Sequence, residues 1–104
     1  MKFESQNYLI DENSSLKSAL AKIDAHHHGF LFTTNAQQSV TGLATDGDIR
    51  RALLNGIALS DKIINCANAD FFWADINTPR EKILKKLDGD IRFVPLLDEF
   101  KRLN

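Results

Sequence analysis

The chain has 104 residues, 43% of them hydrophobic, and its 13 Lys and Arg stand against 14 Asp and Glu for a formal net charge of −1. That length suits one domain with a modest core, and the balanced charge gives no electrostatic support to a nucleic-acid or membrane-surface role. The single cysteine, Cys66, excludes an internal disulfide. With no basic-then-apolar leader and no run of about 18 apolar residues, a cytoplasmic location is expected.

Tyr8, Leu9 and Ile10 read as a first strand. Leu16, Ala19, Leu20 and Ile23 then follow the i, i+3, i+4, i+7 spacing of an amphipathic helix, with Asn13, Ser14 and Ser15 available to cap it. His26, His27 and His28 read as the solvated end of that helix. Adjacent helical positions point about 100° apart, whereas two imidazoles sharing a metal need an i, i+4 spacing.

Phe30, Leu31 and Phe32 form an apolar run, followed by a polar turn over 35–39 and a second strand over 40–45 that predicts a hairpin. The strand runs into Asp46-Gly47-Asp48 and a short helix. Asp46 is the expected N-cap, Asp48 lies in the first turn, and Gly56 is placed to close the helix. Thr45, Asp46, Gly47 and Asp48 offer a hydroxyl, carboxylates and free N–H groups at one helix start, an arrangement suited to a ribose and its phosphates. One of Arg50 and Arg51 is placed to reach a phosphate. Arg51 joins the candidate site, although the spacing fits a solvent-exposed arginine equally well.

The second half repeats the first. Aligning Asp24 on Asp88, an offset of 64, superimposes Leu20 on Leu84, Lys22 on Lys86 and Ile23 on Leu87. Phe71, Phe72, Trp73 and Ala74 supply its first strand. Thr78, Pro79, Arg80 and Glu81 supply a capping box with Pro at the first helical position. Ile83, Leu84 and Leu87 are the expected buried face of its helix, and Asp88-Gly89-Asp90 closes it. Under the same offset Val94-Pro95-Leu96 falls on Phe30-Leu31-Phe32, with a polar turn over 98–102. Phe71, Phe72, Trp73 and Phe93 are expected in the core and between the units; the alternative is that a residue of 71–75 stacks on a base. Carried forward by the offset, Gly42 to Asp48 would fall past Asn104. A piece of a longer polypeptide is therefore expected, the alternative being completion by another chain. No nucleophile beside a base, paired carboxylates, metal cage or P-loop is evident, so no catalytic role is expected.

The pattern Gly42-x-x-Thr45-x-x-Asp48 before a short helix resembles the signature of the CBS domain, a small regulatory module that usually binds adenosine nucleotides. Residues 45–53, Thr-Asp-Gly-Asp-Ile-Arg-Arg-Ala-Leu, are similar to strings in CBS pairs attached to sugar-phosphate nucleotidyltransferases and to arabinose-5-phosphate isomerases. Val94-Pro95-Leu96-Leu97-Asp98 resembles the Pro-containing strand of the second motif. The resemblance implies an α+β fold of tandem CBS motifs, each strand-helix-strand-strand-helix. One CBS-pair module would span 1–104, motif 1 over about 7–57 and a partial motif 2 over about 60–104, the second repeat truncated before its last strand and helix. The units would pack through their sheets and leave a pseudo-twofold cleft. Thr45 would contact phosphate and Asp48 ribose, with AMP, ADP, ATP or S-adenosylmethionine as regulatory ligand. The implied setting is a homodimer joined to a nucleotidyltransferase catalytic domain. A module of a sugar-phosphate isomerase and a dimerisation domain without ligand are the other readings.

Overall fold

A computed structural model describes residues 5–26, 29–87 and 94–102. His27, His28, Asp88, Gly89, Asp90 and Phe93 lie outside the described residues, as does the His26 side chain, so the readings of the histidine tract and of the 88–90 turn rest on sequence.

The first unit follows the expected order. Strand β1 (Leu9–Asp11) leads through helix α1 (Leu16–His26) to the hairpin of β2 (Phe30–Thr34) and β3 (Val40–Thr45), and helix α2 (Asp46–Leu54) follows at once. The sheet runs β1-β2-β3, with β1 parallel and β3 antiparallel to β2. Its two faces bury different partners. Leu31 and Ala44 point to α1 and α2, where they meet Leu16, Ala19, Ile23, Ile49 and Ile63. Phe30 and Phe32 point the other way, onto Leu97, Phe71 and Trp73 of the second unit. Phe71 and Trp73 therefore pack between the units as the sequence suggested. A bulge where Thr33 pairs with Gly42 but Thr34 with Val40 turns Val40 onto that second face as well.

Of the three residues offered as caps for α1, Ser15 does the work: its hydroxyl accepts from the Ser18 amide at 3.1 Å. The amides of Leu16 and Lys17 are taken up by the carbonyls of Asp61 and Leu59, so the segment after α2 folds back to satisfy the start of α1. The same segment crosses β3. Leu43 and Asn68 exchange both backbone bonds, at 2.9 and 2.8 Å, and a Cβ on Gly42 would lie 2.9 Å from the Ala67 Cβ and 3.4 Å from the Asn68 carbonyl oxygen. The first glycine of the motif is thus a packing residue, where one strand passes closely over another. Gly42→Ala is expected to destabilise the protein by ~1–3 kcal/mol through overpacking. Chemical denaturation would measure this, and an unchanged midpoint would sink the account.

The internal repeat is visible in turn chemistry. Asp11 Oδ1 accepts from the Asn13 amide and Asp75 Oδ1 from the Asn77 amide, both at 2.8 Å, and α3 (Arg80–Leu87) starts where α1 does under the offset of 64. The two hairpin turns match equally well, but one residue closer. Asn35 Oδ1 accepts from the amides of Gln37 and Ser39, Asp98 Oδ1 from those of Phe100 and Arg102, and Gln38 and Lys101 share positive φ values of 66° and 61°. Across this part the offset is 63, not 64. Val94-Pro95-Leu96 therefore corresponds to Leu31-Phe32-Thr33. The faces agree: Leu97 is buried with Phe30 and Phe32 between the units, as a residue in register with Thr34 of the same strand face would be, whereas Leu96 is 45% exposed; a one-residue slip exchanges the faces of a strand.

The second unit departs from expectation in three ways. Its strands reduce, among the described residues, to one parallel bridge between Ala74 and Leu96, made by Ala74 N–H to the Pro95 carbonyl and Leu97 N–H to the Ala74 carbonyl. The Thr78 hydroxyl turns back to Asp75 rather than over the helix, and α3 begins after Pro79, not on it. Nor does α3 bury a face: Leu84 is 55% and Leu87 37% exposed. The physical reason lies in what α1 has and α3 lacks among the described residues, namely a hairpin and second helix to pack against.

Candidate functional site

Thr45 ends β3 opposite Phe30, in an extended conformation with φ −100° and ψ 163°. From there its hydroxyl oxygen accepts from the Asp48 amide at 3.0 Å, while Asp48 Oδ2 accepts from the Thr45 amide at 3.0 Å. This is a reciprocal capping box. It corrects the cap assignment by one residue: Thr45 is the N-cap and Asp46 the first helical residue. The Asp46 carboxylate is instead engaged by Arg50 at 2.8 Å, and the amide it would have to cap lies beyond the one the Thr45 hydroxyl already takes. At the other end Gly56, at φ 101°, closes α2 as expected. Gly56 N–H reaches the Leu53 carbonyl and Ile57 N–H the Ala52 carbonyl, the paired bonds of a Schellman turn.

The arginines, equivalent by spacing, separate in space. Arg50 pairs with Asp46 at 2.8 Å, and both side chains are well exposed. Arg51 pairs with Asp48 Oδ1 at 2.6 Å, and its guanidinium folds over the first turn, so that a Cβ on Gly47 would lie 3.4 Å from Arg51 Nη1 and 3.8 Å from the Thr45 hydroxyl. Thr45, Gly47, Asp48 and Arg51 thus form one cluster. Asp46 turns away from it and, with Asp24, Gly29, Leu20, Ala21 and Ile23, lines an open depression of about 540 Å³ beside α1. Two carboxylates make that depression an unsuitable host for a phosphate.

Cys66 completes the surroundings in a way the sequence did not signal. Burial pushes its thiol above the usual cysteine range, and the negative charge of Asp48 adds to this. Both effects disfavour the thiolate, the reactive form of the side chain. On the aromatic side, Tyr8 stacks on Phe30 with centroids 5.2 Å apart, and Phe32 meets Phe71 at 5.8 Å, so rings line the sheet face next to Thr45. Phe72 instead lies under the Lys86 ammonium at 5.4 Å. Among the described residues no group of three His, Cys, Asp or Glu is placed to hold a metal ion, and no helix is long and apolar enough to cross a membrane.

No protein-family model matches the chain. An uncharacterised protein of Helicobacter pylori strain 26695 is 34% identical over 81 residues, which cover 78% of this chain but 22% of that protein; the chain spans about a fifth of the relative's length. Among solved structures, the CBS domains of a transcriptional regulator from Streptococcus pneumoniae superimpose with a TM-score of 0.78 at 19% identity, covering 99% of this chain and 84% of that one. A CBS domain protein from Pyrobaculum aerophilum, solved with AMP, gives 0.77 at 16% identity, covering 95% and 81%. A CBS domain pair solved with 5′-methylthioadenosine and S-adenosylmethionine gives 0.73 at 20% identity, covering 91% and 75%. The fold of this chain is that of CBS domains, a mixed α+β arrangement.

Proposed function

We propose that this module is a regulatory sensor of an adenosine nucleotide and that it acts on a catalytic domain in the same polypeptide. The observation that carries the reading is the cluster of Thr45, Asp48 and Arg51 at the sheet end of α2. The Thr45 oxygen accepts from the Asp48 amide, yet the hydroxyl keeps its own proton to donate to a phosphate. The Asp48 carboxylate can take ribose hydroxyls on Oδ1 once Arg51 gives it up, and the positive end of the helix favours an anion. AMP, ADP, ATP and S-adenosylmethionine are the ligand candidates, supported by the AMP and S-adenosylmethionine bound in proteins of the same fold. The module itself would not be an enzyme.

The attached domain we propose is a sugar-phosphate nucleotidyltransferase, on the similarity of residues 45–53 to the modules of those enzymes, and the setting is cytoplasmic. Occupancy would act only through a difference in affinity between two states of the whole protein. Calorimetric titration of the protein at full length with AMP, ADP, ATP, S-adenosylmethionine and nucleotide sugars is expected to show saturable binding in the micromolar range. If nothing binds below millimolar concentration, the sensing role is lost.

A dimerisation role stands as a second reading, favoured by the exposed Leu84, Leu87 and Leu96 on the α3 side. Sedimentation paired with the titration distinguishes the two, since a purely assembling module dimerises and binds no nucleotide.

A further inference from the structure

We infer that Arg51 is a displaceable latch on Asp48, and that it makes the site prefer phosphorylated over unphosphorylated adenosine ligands. This rests on the nucleotide-sensing reading above. Both oxygens of the Asp48 carboxylate are occupied. Oδ2 holds the Thr45 amide and with it the cap of α2, so it cannot be released without loosening the helix. Oδ1 is held by Arg51 Nη2 at 2.6 Å, and the same guanidinium covers the Gly47 turn. A ribose approaching Asp48 therefore meets the guanidinium first.

A nucleoside must break the Arg51–Asp48 pair and give the arginine nothing in return. A nucleotide offers the departing guanidinium a phosphate, which its planar fork can grip with two parallel hydrogen bonds. The exchange swaps one ion pair for another and frees Oδ1 for the ribose. The Arg51 side chain is 69% exposed, so the guanidinium swings through solvent, and the ribose hydroxyls take its place on the more covered Asp48, 27% exposed. Exposed ion pairs of this kind change an equilibrium by roughly two- to fivefold, whereas a charge-assisted bond to phosphate changes it by about tenfold or more. The net result favours the nucleotide. Arg50, paired with Asp46 on the other side of the helix, has no part in the exchange.

The test is calorimetric titration of the protein at full length with adenosine and with AMP. In Arg51→Ala adenosine binding is expected to tighten roughly two- to fivefold because no pair has to be broken, while AMP, spared the same cost but deprived of a bond worth about tenfold, is expected to weaken roughly two- to fivefold. Arg51→Lys, which keeps the charge but not the fork, is expected to lie between wild type and Arg51→Ala, and Arg50→Ala to keep the wild-type preference. Equal changes in both affinities on Arg51→Ala, or an unaltered AMP affinity, overturn the latch while leaving nucleotide sensing intact. A wild-type protein that binds neither ligand overturns the sensing reading and the latch together.

Discussion

Ile49→Ala is expected to lower the stability of the protein by ~2–5 kcal/mol, the range for truncating a fully buried aliphatic side chain. Ile49 is 0% exposed and is the buried residue of α2. It inserts among Leu16, Ala19, Leu31 and Ala44 of the main cluster, and α2 has no comparable second anchor, since Ala52 and Leu53 are only partly covered. A domain of this size has about 5–15 kcal/mol in total, so the substitution removes a large share. Each kcal/mol lowers the melting temperature by ~4–8 °C at this chain length. Thermal melts followed by far-UV circular dichroism would record the drop, and a loss below 1 kcal/mol would mean that α2 is held by something other than its seat on α1 and the sheet.

The second large effect concerns binding. Asp48→Ala removes both the carboxylate proposed to face the ribose and one half of the capping box. The capping half costs about 1 kcal/mol. Losing two hydrogen bonds to a charged group weakens nucleotide binding by ~3 kcal/mol or more, on the order of a hundredfold. Thr45→Ala separates the two roles, because it removes the other half of the same box at a similar stability cost but leaves the carboxylate in place. Its nucleotide affinity is expected to fall far less than that of Asp48→Ala, by roughly tenfold, the worth of one bond to a charged group. Equal losses of affinity in the two variants, tracking the loss of helix stability, would assign the whole effect to capping.

Much of the first unit was legible because its signals are local. The spacing of Leu16, Ala19, Leu20 and Ile23, the polar turn between two apolar runs and the glycine after α2 each act within a few residues. The cap lies one residue earlier than the sequence suggests because Thr45 is both the last strand residue and the N-cap, and the reciprocal bonds that settle the choice depend on where the strand ends. The repeat was readable in residue identities, but its change of offset was not, since only the paired turns at Asn35 and Asp98 fix the register. The helix α3 was recognisable as a helix, yet its burial depends on a partner rather than on its own pattern. Arg50 and Arg51 are neighbours in sequence, and only the positions of Asp46 and Asp48 assign them to opposite sides of α2.

The reciprocal bonds between Thr45 and Asp48 have a bearing on how such sequences change over evolutionary time. The same hydroxyl and carboxylate that would serve a ligand also hold the first turn of a helix that the core needs. A descendant that abandons its ligand would still be selected to keep both residues, because losing either weakens the fold. Thr and Asp at this spacing therefore trace common ancestry and foldability more faithfully than they trace ligand use. The residue free to drift once a ligand is lost is Arg51, which holds the carboxylate edge that the cap does not use. Variation at that position is where a retired sensor would first be recognised.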